Sequence, residues 1–189
     1  MVDNYFLKLA KARKTTYEFR DKKVKGVDIN KILDAGRWAP SCSNFQPWHF
    51  IVIQDKNKIS NLMKITSYGA FHTDPTLIIA LIVKLECWEK GEYRCIKNNK
   101  ITVDEVNLCV SMAALNMVLE AEDIGINSAI LTPEKNSSSK ILRLRKGDLI
   151  PIMVGFGYER KEAFQKKRER KQLKELVSYE FFEGVNLNE

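Results

Sequence analysis

The stretch Leu77 to Val83, LIIALIV, constrains the fold more than any other part of the chain. Its apolar residues do not alternate with polar ones, and Pro75 keeps a helix from running into them. A short apolar run rich in β-branched residues, set off by a turn residue, reads as a strand buried on both faces. It falls far below the roughly 18 to 20 residues that span a bilayer. Such a strand needs a covering layer on either side, so the next question is which segments can supply those layers.

Helical spacing recurs in several places. Tyr5, Phe6, Leu9 and Ala12 fall on one face within residues 2–14, and Val27, Ile32, Leu33, Ala35 and Trp38 share a face of a second helix that Pro40 stops. Short helices are expected from about Lys56 to Thr66 and near Ser137 to Leu142. Val106, Cys109, Val110, Ala113, Ala114, Met117, Val118 and Ala121 mark a long, largely buried helix over Asp104 to Ile124, closed by Gly125. Its small residues Ser111, Ala113 and Ala114 would let another helix approach closely. Further strands are expected from His49 to Gln54, in NSAILT (127–132) and in LIPIMVGFGYE (149–159). Residues 86–100 read as a charged connection or lid. With no internal repeat and no linker rich in Pro, Gly or Ser, residues 1–189 form one domain of the α+β class: a small mixed, mainly antiparallel sheet surrounded by helices.

The composition, 44% hydrophobic and 29% charged over 189 residues, suits a soluble protein with a sizeable core. The opening MVDNYFLKLAKARK lacks an apolar signal core, which predicts a cytoplasmic protein with no membrane partner. The net charge of +7 is uneven, because Lys161, Lys166, Lys167, Arg168, Arg170, Lys171 and Lys174 crowd the C-terminal part. A solvated helix face and a local anion site each explain that run. No nucleic-acid module or aromatic interleaving accompanies it, so nucleic acid is not the expected partner. Cys42, Cys87, Cys95 and Cys109 form no CxxC pair and have no metal-ligand spacing with His49 or His72. Reduced structural thiols and no metal site are expected.

Two short stretches carry candidate chemistry. ARKTTYEF (12–19) sets Arg13 and Lys14 before the hydroxyls of Thr15 and Thr16. Guanidinium, ammonium and hydroxyl donors in one loop suit a phosphate, while cations at a helix C-terminus equally suit its dipole. GRWAPSCSNFQPWHFIVI (36–53) crowds turn-forming or weakly polar residues directly before a strand. Trp48 and Phe50 in it are read as core packing.

Four stretches, kept in order and covering most of the chain, resemble the FMN-dependent nitroreductase family. ARKTTYEF resembles its basic-basic-hydroxyl signature, APSCSNFQPWHFIVI its Ala-Pro-Ser, Asn, Gln-Pro-Trp loop, LNMVLEAEDIGINS its central helix and Gly turn, and the segment from Pro151 to Glu180 its closing strand and basic tail. The resemblance implies an intertwined homodimer with FMN at the subunit interface and the tail, about 160–189, on the partner subunit. It assigns Arg13, Lys14 and Thr15 to the phosphate and ribityl side, joined by Arg168 and Arg170. It brings Pro40, Ser41, Cys42 and Asn44 from the partner chain to line the flavin, with Gln46 nearby and the Thr132 backbone near flavin N5. Cys42 itself is read as a small packing residue.

The implied activity is an oxidoreductase passing hydride from NADH or NADPH through FMN to a nitroaromatic, quinone or similar small acceptor, with ping-pong kinetics. The flavin carries the chemistry, so no acid-base triad is required. Two positions depart from the family pattern. Tyr17 stands where a Lys or Arg is usual near the ring, leaving stacking or a hydroxyl in place of a cation, and Pro133 follows Thr132 without an amide hydrogen. Both suit the alternative of an FMN-binding protein served by a protein donor such as ferredoxin, with little NAD(P)H reductase activity. A polyanion-binding module built on the basic tail is the remaining rival, and salt-sensitive nucleic-acid binding would reveal it.

Overall fold

The structure, a computed structural model, describes residues 4–66, 71–84, 103–165 and 168–182. The expected lid at 86–100 lies outside the described residues. Helix α1 spans Tyr5–Ala12, opened by Asn4, whose side-chain oxygen accepts from the Leu7 N–H at 2.9 Å. Helix α2 (Gly26–Arg37) leads through a short turn, Cys42–Asn44, into strand β1 (Trp48–Ile53). Helix α3 (Lys56–Met63) is capped by Asp55 and precedes β2 (Leu77–Val83). The long α4 (Val103–Asp123) is followed by β3 (Asn127–Leu131), α5 (Lys135–Leu142) and β4 (Leu149–Gly157).

The strands form one sheet in the order β1-β2-β4-β3, with every neighbouring pair antiparallel. The mixed character read from the sequence is confined, among the described residues, to a single parallel bridge between Thr15 and Ser128. All of β2 is buried, and its pleat sends successive side chains to opposite layers. Leu77, Ile79, Leu81 and Val83 meet Ile29 and Ile32 of α2 together with the buried stripe of α4. Ile78, Ala80 and Ile82 meet Ile59 and Leu62 of α3, with Ile141 and Leu142 of α5 alongside. The sheet is thus sandwiched between α2 with α4 and α3 with α5.

Helix α4 is apolar on the face that meets α2. Close approach comes from Gly36 of α2, where an added Cβ would lie 2.3 Å from Met117 Cε and 2.9 Å from its Cγ. Ala113 and Ala114 are buried as expected, whereas Ser111 faces out and donates back to the Asn107 carbonyl at 2.8 Å. Gly125, with φ at +74°, ends the helix, and Ile126 N–H returns to the Ala121 carbonyl at 2.7 Å.

Strand β1 lies at the edge of the sheet formed by the described residues, where Trp48 and Phe50 pack half-buried against the core, stacked at 6.4 Å, and His49 is exposed. One sequence reading needs correction. Cys42 is disulfide-bonded, contrary to the expectation of reduced thiols throughout, while Cys109 is free and buried. That expectation rested on the absence of a CxxC pair, but a disulfide requires only that two Cα atoms come within about 4.4–6.8 Å in space.

Candidate functional site

The loop after α1 is held across the ends of β3 and β4. Thr16 N–H donates to the Ser128 carbonyl at 3.0 Å, and Phe19 bridges to Glu159 just past β4. Phe19 packs on bare backbone at Gly157, where a Cβ would come within 2.8 Å of its ring. Thr16 and Phe19 are buried, which leaves Arg13, Lys14, Thr15 and Tyr17 half-buried along the open side. The fixed register of this loop is what turns a basic sequence into a directed site.

The C-terminal tail completes it. Arg168 donates to the backbone carbonyls of Arg13 and Lys11, the latter at 3.1 Å, which clamps the tail onto the end of α1. Arg13, Lys14, Thr15, Tyr17, Arg168 and Arg170 then line a cavity of about 270 Å³, with Gln165 and Glu169 closing its rim. A larger cavity, about 630 Å³, opens between α4, α5 and the start of β4, but it gathers none of the candidate residues.

Burial and the neighbouring cations both act on Arg13. Partial burial pulls the Arg13 guanidinium below its usual value, with Arg168 and then Arg170 adding to the effect and Glu122 opposing it. Burial pushes the Glu122 carboxyl up, against the pull of Lys14, Arg13 and Arg168. Tyr17 lines the cavity without adding a charge. Its ring tilts against Phe71 at 5.5 Å and Phe164 at 6.5 Å, and its carbonyl accepts from the His72 N–H at 3.0 Å.

The second group of candidates sits apart. Pro40, Ser41, Cys42, Asn44 and Gln46 belong to the turn between α2 and β1, and none of them lines the cation cavity of this chain. The turn is closed on itself. Gln46 N–H donates to Ser41 Oγ at 2.9 Å, Asn44 N–H to the Ser41 carbonyl and Phe45 N–H to the Cys42 carbonyl. Ser43, Asn44 and Gln46 all have φ near +50°, the left-handed region that costs an L-residue about 1 kcal/mol. A turn holding three such residues is over-determined by its surroundings, a pattern typical of functional loops. Asn44 and Gln46 are exposed. Thr132 lies exposed past the end of β3, followed by the buried Pro133, which bridges to Thr66.

Sequence reasoning missed Glu122 and Glu159, the two carboxylates among the cations, and the aromatic backing of Tyr17 by Phe71 and Phe164. The signal for Glu159 was its place directly after a strand that had to meet ARKTTYEF. Among the described residues no group of His, Cys, Asp and Glu could hold a metal ion, and no helix is long and apolar enough to cross a membrane.

The model of the Nitroreductase family matches residues 10–158, from the end of α1 through β4. The chain belongs to the nitroreductase family. It is 27% identical over 161 residues, 82% of this chain and 86% of the relative, to an Archaeoglobus fulgidus protein named "Putative NADH dehydrogenase/NAD(P)H nitroreductase". A solved nitroreductase family protein from Clostridium difficile superposes with a TM-score of 0.75 at 27% identity, covering 95% of this chain and 100% of that one. A structure from Desulfovibrio desulfuricans, described as a "putative nitroreductase in complex with fmn", gives a TM-score of 0.76 at 24% identity over 96% and 99% of the two chains. This nitroreductase-family chain therefore has the nitroreductase fold and is an oxidoreductase of that family.

Proposed function

We propose that this chain is an FMN-dependent oxidoreductase that takes hydride from NADH or NADPH and delivers electrons to a small acceptor such as a nitroaromatic or quinone, in a ping-pong cycle. The observation that carries the reading is the cation cavity assembled from both ends of the chain, Arg13 and Lys14 with Arg168 and Arg170. A phosphomonoester carries about two negative charges at neutral pH, and guanidinium groups with an adjacent hydroxyl are the donors that suit it. FMN would be held at its phosphate by these four cations and Thr15, with Tyr17 offering an aromatic wall in place of a cation. When bound, FMN supplies the electron transfer, and the chain contributes binding, orientation and shielding from water.

The single chain supplies only half of such a site. Its turn residues Pro40, Ser41, Cys42, Asn44 and Gln46 would serve the cavity of a second copy, and the Thr132 backbone would face the reacting edge of the ring. The apolar surface left uncovered supports a homodimer with the tail, about 160–189, on the partner subunit: Tyr179, Phe181 and Phe182 are 87%, 72% and 79% exposed, and Tyr5, Phe6, Leu108 and Leu115 are exposed as well. The rigid, positive-φ turn suits a loop that must present small surfaces to a flat ring without yielding.

Anaerobic mixing of the FMN-loaded protein with NADH or NADPH tests the reading. The flavin bands should bleach with one nicotinamide, and they should return when a nitroaromatic or quinone is added after the nicotinamide has been removed. Bands that persist with both nicotinamides, yet bleach with reduced ferredoxin, would overturn the nicotinamide assignment in favour of a protein donor.

A further inference from the structure

Glu159 is the most heavily bonded side chain in the cation cluster. Its Oε2 lies 2.6 Å from Lys14 Nζ, and its Oε1 accepts from Thr16 Oγ1 at 3.2 Å and Gln165 Nε2 at 2.6 Å. Its side chain is only 17% exposed. Glu122, near the C-terminal end of α4, is close enough to Lys14, Arg13 and Arg168 for their charge to act on its carboxyl, and one of its oxygens is buried without a hydrogen-bond partner among the described residues. The end of a helix C-terminus is itself negative, so Glu122 adds like charge to like. One carboxylate thus pairs directly with a cation of the cavity, and a second acts on three of the four cations electrostatically. Among the described residues, exposed Glu169 adds a carboxylate at the rim.

We propose that Glu159 and Glu122 set the charge selectivity of the cavity, offsetting part of its positive charge so that a more highly charged anion such as a diphosphate gains less over a phosphomonoester than four cations alone would give it. This rests on the reading of the cavity as the FMN phosphate site. The attraction of four unopposed cations for an anion grows in proportion to the anion's charge, and the repulsion from a fixed carboxylate grows in the same proportion. Each carboxylate therefore costs a neutral ligand nothing, a phosphomonoester dianion a moderate amount, and a diphosphate more. Selectivity is a difference of affinities, and an internal repulsive group is one way to build it. Lys14 held by Glu159 keeps its position while presenting less net charge to the ligand.

The test compares Glu159→Gln and Glu122→Gln with the unmodified full-length protein. FMN and riboflavin are titrated directly, and inorganic phosphate and pyrophosphate are titrated as competitors of FMN. Glu159→Gln keeps an amide oxygen for Thr16, and Glu122→Gln leaves the Lys14 pair untouched, so one variant survives if the other misfolds. In either variant riboflavin affinity should be unchanged within about twofold, FMN should bind roughly fivefold tighter, and pyrophosphate should compete about tenfold or more better, a larger gain than for phosphate. These gains should shrink as salt is raised. Weaker FMN binding in both variants, or equal shifts for FMN and riboflavin, would overturn the proposal by making the carboxylates structural supports. If the unmodified protein binds riboflavin as tightly as FMN, the phosphate reading itself fails, and the selectivity with it.

Discussion

Arg13 and Arg170 are separated by most of the chain, yet they line one cavity because Arg168 ties the tail to the carbonyls that end α1. Their individual residue types were readable in the sequence; their convergence was implied by the family resemblance and not by the residues alone, since a basic run at a helix end looks the same whether it faces solvent or a ligand. Replacing both, Arg13→Ala with Arg170→Ala, should weaken FMN binding at least tenfold while riboflavin binding and the dimer persist, as titration and sedimentation would show. Charge-assisted contacts of about 1.5 kcal/mol or more each set that floor. Glu122 behaves in the opposite sense. Its carboxyl is pushed above its ordinary value of 4.5, so between that value and the folded one the native protein holds the extra proton. Stability contributed by Glu122 is thus lost as pH rises through that window. Glu122→Gln should melt higher than the unmodified protein at neutral pH, with the difference closing below about pH 4.5. An unchanged difference across that range would contradict the burial of this carboxylate.

At the scale of elements, the regular parts of the fold were written plainly in the chain. The short, unbroken, β-branched run of β2 after Pro75 and the 3.6-residue stripe of α4 each point to one buried environment, so their type and burial were legible in the sequence. The turn at Cys42–Asn44 was harder. Three left-handed residues and a disulfide are properties of the folded backbone, and nothing in the letters S, N and Q demands them. The edge position of β1 was likewise invisible, because strand order depends on pairings between distant segments. The seam between α2 and α4 offers a check on packing. Gly36→Ala places a methyl against Met117, whose Cε can swing away but whose Cγ at 2.9 Å cannot. The variant should lose about 1–3 kcal/mol in denaturant unfolding, the usual cost of overpacking a core. A loss near zero would mean that the two helices are less closely seated than described.

For the molecule as a whole, the sequence resemblance implies a chain that is completed by a second copy, and the exposed apolar surface is what a test of that expectation can use. The tail beyond Gln172 carries Leu173, Leu176, Val177, Tyr179, Phe181 and Phe182, all exposed on this chain. Large aromatic side chains in water mark a surface that another molecule covers. A chain ended at Gln172 keeps every cation of the cavity, so it separates association from ligand chemistry. It should shift from dimer toward monomer in sedimentation at micromolar concentration, with its helical circular dichroism retained. A dimer undiminished by that truncation would place the interface on α1 and α4 instead.

The most direct measurement of the central claim is the visible absorption spectrum of the purified protein after it has been mixed with excess FMN and desalted. Retained flavin bands, close to one FMN per chain and lost when Arg13 and Arg170 are replaced together, are the predicted result. A colourless protein after desalting would contradict the account, since a cavity formed by Arg13, Lys14, Arg168 and Arg170 would then hold some other anion.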